Sequence, residues 1–214
     1  MKLYGYFRSS AAFRVRIALN LKGIAYDNEF RHLRKGEHLL PDFARINPQK
    51  LLPALQLDDG QILSQSLAIC EYLEESHPEP ALLPSDAVGR ARVRSLAMIA
   101  ACEIHPLQNL RVLQYVRQTY NQDEAGSFAW GRHWNEVGLS AFEQSVAGNA
   151  ATGRFCHGDV AGLADICLVP QILGAKRFGV DLDRFPTLMG IFAACMALPA
   201  FDKAQPAKQP DFEP

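Results

Sequence analysis

The sequence predicts a small α/β domain followed by a domain that contains only helices. Strand and helix patterns alternate over residues 1–80, a proline-rich connector follows, and the later patterns have helical spacing. These three observations predict an α/β domain over residues 1–80 and an all-α domain over residues 86–214.

The first domain begins with a βαβ unit, which predicts a parallel pair of strands. Its predicted elements are a strand over residues 2–7, a helix over 13–22, a strand over 24–30, a short helical or irregular segment over 36–46, a hairpin over 52–64 and a helix after Gln65-Ser66. The basic residues of the first helix, Arg14, Arg16 and Lys22, are expected at its solvated edges.

The stretch over residues 49–73 contains two backbone features that suit a ligand. Pro53 is expected at the start of a strand, where a cis bond would leave the backbone of Leu52 free for an outside partner. Ser66 is a good helix N-cap, and a helix N-terminus carries unsatisfied N–H groups that favour an anion. Together they predict a small peptide with a free carboxylate, although an edge-strand proline and an ordinary cap explain each feature singly.

The second domain is expected to begin with a long helix from Ser85 or Asp86 towards Tyr120. Pro106 should interrupt this helix with a kink. Three more helical patterns follow, and the tail over residues 206–214 is expected to be disordered.

Composition excludes several classes of function. The net charge of -1 and the lack of a long apolar run argue against nucleic-acid binding and a membrane span. Residues 1–4 lead directly into a strand pattern, which leaves no room for a secretory signal. The 5 cysteines are scattered and odd in number, which indicates free thiols in the reducing cytoplasm. No His and Cys pair has metal-ligand spacing, and no metal site is expected.

A polar turn, Arg8-Ser9-Ser10, lies between the first strand and the first helix. Thioredoxin-like domains carry a redox CxxC pair at such a turn, whereas this chain has hydroxyls that could donate a hydrogen bond to a ligand's thiolate. Lowering a thiol pKa from about 8.5 by roughly two units requires ~3 kcal/mol. One hydrogen bond to an ionised group contributes ~1.5–3 kcal/mol. Ser9 and Ser10 also fit plain helix caps.

Several motifs together resemble the zeta class of glutathione transferases. Residues 9–19, SSAAFRVRIAL, are similar to the SSCxWRVRIAL signature of that class. The other matching motifs are Asn47-Pro48-Gln49, Leu52-Pro53-Ala54-Leu55, residues 65–73 and residues 106–110. The resemblance covers nearly the whole chain and includes maleylacetoacetate and maleylpyruvate isomerases. It implies a thioredoxin-like N-terminal domain, an all-helical C-terminal domain, glutathione as cofactor and a homodimer.

The resemblance also implies roles for individual residues around glutathione. The matching positions are Ser9 and Ser10 at the sulfur, the backbone of Leu52 beside cis-Pro53 at the cysteinyl unit, Gln65 and Ser66 at the γ-glutamyl carboxylate, His38 and Gln49 at the glycine end, and His105 and Asn109 from the second domain. Of the two serines, Ser9 is implied as the thiolate's partner.

Bacterial maleylpyruvate isomerases are similar in a further respect, a histidine at position 105 and arginines at positions 8, 111 and 177. A maleyl substrate carries two carboxylates, which guanidinium groups bind through paired hydrogen bonds. The resemblance therefore implies substrate contacts for a set of four residues, Arg8, His105, Arg111 and Arg177. It also implies a catalytic role for Arg8, together with Ser9 and Ser10. Arg111 and Arg177 also fit surface charges, and His105 fits a hydrogen-bonded core histidine.

Two positions depart from the class pattern. Ala11 stands where the signature has cysteine, which removes any role of that thiol in activity or self-inactivation. Gly162 replaces the usual Ser or Thr cap of an interior helix, while Asp165 is retained. Since glycine can still cap, we expect this helix to survive at slightly lower stability.

The resulting hypothesis is a glutathione-dependent cis–trans isomerase of a maleyl dioxo acid, with a small dicarboxylate as substrate. Two alternatives remain open: a transferase that conjugates glutathione to small electrophiles or α-halo acids, and a non-catalytic glutathione-fold binding module. The residues do not separate maleylacetoacetate from maleylpyruvate.

Overall fold

The computed structural model describes residues 1–213, and the chain forms two units. Met1–Ala81 and the segment that starts at Leu198 form the first unit, and Leu82–Ala197 form the second. The division after Ala81 lies close to the predicted boundary. The last residues were expected in the helical domain, whereas they pack with the α/β unit.

The first unit contains a four-stranded mixed sheet. Its elements before residue 82 are β1 (Lys2–Gly5), α1 (Ser10–Leu21), β2 (Asp27–Phe30), α2 (Pro41–Ile46), β3 (Ala54–Gln56), β4 (Ile62–Ser64) and α3 (Ser66–Ser76). The strand order is β2-β1-β3-β4, with β1 parallel to β2 and antiparallel to β3. This arrangement confirms the predicted α/β domain and its parallel first pair.

Local contacts move several boundaries away from the predicted ones. α1 begins at Ser10 because the Ser9 hydroxyl oxygen accepts a hydrogen bond from the Ala12 amide and caps the helix. The segment over 36–46 divides into a 3₁₀ turn, Glu37–Leu39, and α2. The Leu52–Pro53 bond is cis, as predicted.

The three basic side chains expected at the solvated edges of α1 are buried. As whole residues, Arg14, Arg16 and Lys22 are 2%, 2% and 8% exposed. Lys22 Nζ lies 2.7 Å from a carboxylate oxygen of Glu74 on α3 and also donates to the Pro78 carbonyl oxygen. A buried cation needs such partners, and their positions depend on the fold rather than on local sequence.

The second unit is helical. Its α-helices are α4 (Ala87–Met98), α5 (Leu110–Thr119), α6 (Glu124–Val146), α7 (Leu163–Arg177) and α8 (Pro186–Met196). Between α4 and α5 the chain forms a π-helical segment, Ile99–Ile104, and a 3₁₀ turn, His105–Gln108. The interruption expected at Pro106 is therefore confirmed. None of the helices within residues 1–213 is both long and apolar enough to cross a membrane.

α7 is the most buried helix of this unit and starts at the Gly162 cap. The Gly162 amide donates to one carboxylate oxygen of Asp165 at 2.8 Å, and the Cys156 amide donates to the other at 2.9 Å. Burial raises the pKa of Asp165, while these hydrogen bonds oppose the increase. A Cβ atom at position 162 would lie 2.7 Å from the Leu82 carbonyl oxygen, which explains why glycine fits this backbone.

The C-terminal segment is ordered over its described residues, so the prediction of disorder over 206–214 is wrong for 206–213. It contains α9 (Pro199–Ala204) and a 3₁₀ turn, Pro206–Lys208. Two α1 side chains hold it, since Arg16 and Asn20 donate to the carbonyl oxygens of Ala204 and Ala200. Pro214 lies outside the described residues.

Candidate functional site

The turn between β1 and α1 presents the Ser9 hydroxyl at a helix N-terminus. Ser9 Oγ accepts from the Ala12 amide at 3.1 Å, and the Ser9 amide donates to the Tyr6 carbonyl oxygen at 3.0 Å. Because the capping bond uses an oxygen lone pair, the hydroxyl proton remains available to a ligand. The positive end of the α1 dipole adds to this preference for an anion.

Arg8 and Ser10 flank Ser9 and are both half-buried. The Arg8 guanidinium carbon lies 5.5 Å from the centre of the Phe7 ring. Burial raises the pKa of the nearby Tyr6, and the positive charge of Arg8 opposes that increase. Three consecutive residues therefore carry a cation and two hydroxyls, and groups of these kinds can stabilise a thiolate.

The loop before β3 leaves the main-chain N–H and C=O groups of Leu52 available to a ligand. Asn47 shapes this loop, because its side chain donates to the Leu51 carbonyl oxygen at 2.8 Å and accepts from the Gln49 amide at 3.1 Å. Within residues 1–213, no backbone hydrogen bond involves Leu52. An extended peptide can therefore pair with Leu52 as an added strand.

The start of α3 differs in one detail from the prediction. Gln65, with φ 68°, occupies the cap position, and Ser66 is the first helical residue rather than the cap. A positive φ is costly for a residue other than glycine and is typical of functional sites. The first amides of α3 have no acceptor within the helix, and the buried Arg14 donates to Ser66 Oγ at 3.2 Å. A carboxylate of a ligand can therefore bind at this positively charged N-terminus of α3.

The two glutamines of the predicted site are joined directly. Gln65 Nε2 donates to Gln49 Oε1 at 2.9 Å, so residues implied at opposite ends of the tripeptide lie together. Motif matching did not identify Arg14 and Asn47 as supports of this site. Arg14 belongs to the signature over residues 9–19, and its place in that signature is the signal that could have identified it.

His38 lies in the 3₁₀ turn before α2. Its Nδ1 atom is buried and has no hydrogen-bond partner within residues 1–213. Burial lowers the pKa of His38, which keeps the imidazole neutral near pH 7. The His38 ring nitrogen, the Leu52 main chain and the α3 N-terminus can each bind part of a tripeptide with two carboxylates. The residues of the first unit therefore fit glutathione.

In the second unit, three of the four candidate residues lie along one short segment. His105 begins the 3₁₀ turn, and Asn109 caps α5 by accepting from the Arg111 amide at 3.3 Å. Arg111 is exposed in the first turn of α5, and Arg177 is exposed at the end of a different helix, α7. Within residues 1–213, no cluster of His, Cys, Asp and Glu side chains is arranged to hold a metal ion.

A buried amide network holds this segment in place. Asn135 of α6 donates to Gln108 Oε1 at 2.6 Å and accepts from Gln171 Nε2 of α7 at 2.6 Å. The side chain of Trp130 also donates to the Leu107 carbonyl oxygen at 2.8 Å. No pattern in the sequence joins these residues, which lie on three separate elements.

Replacing Asn135 with leucine should lower the free energy of unfolding by about 2–4 kcal/mol, because two buried amides lose their partners. Urea denaturation measures this change. Gln144→Leu on the exposed face of the same helix is the matched control and should change stability little. A leucine variant as stable as the parent would show that the network contributes nothing.

Comparisons with known proteins show which family this chain belongs to. Residues 3–81 match the family model described as the glutathione S-transferase N-terminal domain. A maleylpyruvate isomerase from a Ralstonia species is 51% identical over 99% of both chains. A solved holo structure of a bacterial maleylpyruvate isomerase, described as a zeta-class glutathione S-transferase, covers 100% of both chains with a TM-score of 0.97 and 50% identity. The chain belongs to the zeta class of glutathione transferases.

This zeta-class protein also matches a maleylacetoacetate isomerase from Methylobacterium extorquens AM1 that was solved with malonate and glutathione. That structure is 44% identical, with a TM-score of 0.97 and 100% coverage of both chains. Membership confirms the resemblance inferred from the motifs, and with it the thioredoxin-like N-terminal domain and the helical C-terminal domain.

Proposed function

We propose that this zeta-class protein is a glutathione-dependent isomerase that converts a maleyl dioxo acid, maleylacetoacetate or maleylpyruvate, to its fumaryl isomer. The observation that carries the proposal is the Ser9 hydroxyl at the α1 N-terminus, in a chain related over its whole length to isomerases of both names. The relative solved with glutathione supports the cofactor, and bound malonate there supports a dicarboxylate substrate. We further propose a cytoplasmic homodimer.

In this proposal, each part of glutathione has a protein partner. The α3 N-terminus, with Gln65 and Ser66, binds the γ-glutamyl carboxylate, and the main chain of Leu52 beside Pro53 pairs with the cysteinyl unit. The remaining contacts are His38 and Gln49 at the glycine end, Ser9 and Ser10 at the sulfur, and His105 and Asn109 from the second unit. Unsatisfied amides and the unpartnered His38 nitrogen support these assignments.

The proposed mechanism uses the chain's own residues to hold charge. Bound glutathione supplies a nucleophilic sulfur that adds reversibly to the conjugated double bond, which makes rotation about that bond possible. Ser9 donates a hydrogen bond to the sulfur and keeps it ionised, with Ser10 beside it. Arg8, Arg111 or Arg177 stabilises the negative charge that develops on the oxo oxygen of the substrate.

The decisive experiment follows the absorbance of each maleyl substrate with and without glutathione. An isomerase requires glutathione and leaves its amount unchanged. Consumption of glutathione in step with substrate would instead identify a conjugating transferase. Retention of glutathione on the protein without turnover of either maleyl compound would identify a binding module and overturn the proposal.

Arg111→Met and Arg177→Met should each raise the KM for the maleyl substrate by about tenfold, because a guanidinium–carboxylate contact is lost. The KM for glutathione should stay unchanged, and steady-state kinetics with each substrate varied measures both. Lys176→Met, which removes an exposed charge beside Arg177, is the matched control. If neither variant changes the KM for the maleyl substrate, both arginines are surface charges.

A further inference from the structure

The main chain directly before Arg8 and Ser9 is held by two side chains that the proposed mechanism does not use. Asp211 Oδ2 accepts from the Phe7 amide at 2.9 Å. Arg16 donates to the carbonyl oxygens of Tyr6 at 3.4 Å and Phe7 at 3.2 Å. Phe7 itself is 2% exposed, so water cannot replace a lost partner at its amide.

Asp211 comes from the far end of the chain, in the segment after α9. The next residue, Phe212, places its ring 5.5 Å from the Phe7 ring in an edge-to-face contact. Glu213 then pairs with His32 at 3.1 Å and Lys35 at 2.8 Å. Arg16 joins the same two regions, because it also donates to the Ala204 carbonyl oxygen at 3.0 Å. The C-terminal segment is thus tied to the β1–α1 turn by several independent contacts.

One atom of this arrangement has no structural explanation. Asp211 Oδ1 is buried and has no hydrogen-bond partner within residues 1–213. Buried polar atoms without a partner are rare in folded proteins, and a functional role is one explanation for them. Among residues 1–213, the one hydrogen bond of the Asp211 carboxylate comes from the amide of Phe7, the residue before Arg8.

We propose that Asp211 is a positioning residue that fixes the Phe7–Ser9 main chain, so that the Ser9 hydroxyl and the Arg8 charge reach the reacting atoms. This inference rests on the proposed function of Arg8 and Ser9. The Phe7 amide is two residues from Ser9, and the Ser9 amide is bonded to the Tyr6 carbonyl oxygen. Movement of the Phe7 peptide group therefore also moves the Ser9 hydroxyl.

The expected effect of Asp211→Ala follows from the loss of that acceptor. The buried Phe7 amide loses its partner, and hydrogen exchange at this amide should become at least about tenfold faster in the ligand-free chain. Displacement of Ser9 should lower kcat by about tenfold or more, since small misplacements of catalytic groups are costly. The affinity for glutathione should change by less than about threefold, because its carboxylate contacts remain.

The test compares four proteins by amide exchange, by calorimetric titration with glutathione and by isomerase kinetics. Asp211→Asn keeps an oxygen that can accept from the Phe7 amide and should restore most of the protection and of kcat. Asp202→Ala removes another carboxylate of the same segment, one that pairs with Lys208, and should match the parent. If Asp211→Ala does not fold, Asp211→Ser, whose shorter side chain leaves the amide without its acceptor, takes its place.

Unchanged exchange at Phe7 in Asp211→Ala, or faster exchange with an unchanged kcat, would overturn the positioning role. The parallel variant Ser9→Ala separates this failure from that of the proposed function. If Ser9→Ala loses turnover while Asp211→Ala does not, only the positioning role is wrong. If Ser9→Ala turns over normally, the proposed mechanism itself is wrong.

Discussion

Ser9→Ala should lower turnover by at least about 100-fold, while the affinity for glutathione changes by less than about threefold. The hydroxyl proton is free because the capping bond occupies only a lone pair of Ser9 Oγ. The variant loses the donor that favours the ionised sulfur, so the bound thiol should also titrate at a higher pH. Ultraviolet titration of the bound thiol and steady-state kinetics measure these two effects.

A second variant separates the two roles of the Ser9 hydroxyl, because alanine removes both of them. These roles are the hydrogen bond donated to the glutathione sulfur and the cap of α1. Ser9→Asp keeps an oxygen that can cap α1 but has no proton to donate at neutral pH. It should recover the stability that Ser9→Ala loses, about 1 kcal/mol, without recovering turnover. Recovery of turnover by the aspartate would mean that Ser9 acts through the helix alone.

Lys22→Met should lower the free energy of unfolding by about 3–5 kcal/mol, because the buried carboxylate of Glu74 loses this cation. The side chains of Lys22 and Glu74 are 0% and 8% exposed, and 2.7 Å separates their charged atoms. Urea denaturation measures the change. Lys208→Met, which breaks the exposed pair with Asp202, is the matched control and should have little effect.

The double variant Lys22→Met with Glu74→Met shows whether the fold depends on the ion pair itself or only on the two charges being present together. Two apolar side chains of similar volume can pack where the ion pair lies, and much of the lost stability should return. If Lys22→Met alone is as stable as the parent, the carboxylate has gained water or another partner and the burial argument fails.

The features that could be predicted from the sequence are those encoded within short segments. The cis bond before Pro53, the break at Pro106 and the Ser9 cap each depend on a few adjacent residues. Their order along the chain matches one family signature, which is why the fold and the glutathione cofactor could be predicted.

The features that could not be predicted depend on partners far away in the chain. Arg16 is buried because carbonyl oxygens of the β1–α1 turn and of Ala204 surround it, and burial lowers its pKa to about 10. The tail beyond Pro206 contains few apolar residues, yet Asp211 and Phe212 dock it on Phe7. Asn135 likewise matters only through Gln108 and Gln171.

The placement of the sulfur atoms in the polypeptide determines how well the enzyme would tolerate its reactant. A maleyl ketone is an electrophile that alkylates exposed thiolates, and Ala11 leaves no thiol in the first turn of α1. Four of the five cysteines are buried, and burial raises the pKa of Cys156 and Cys195. Protonated, enclosed thiols react slowly. Alkylation by the substrate would therefore fall on Cys102, the exposed cysteine of the π-helical segment, and would spare the β1–α1 turn.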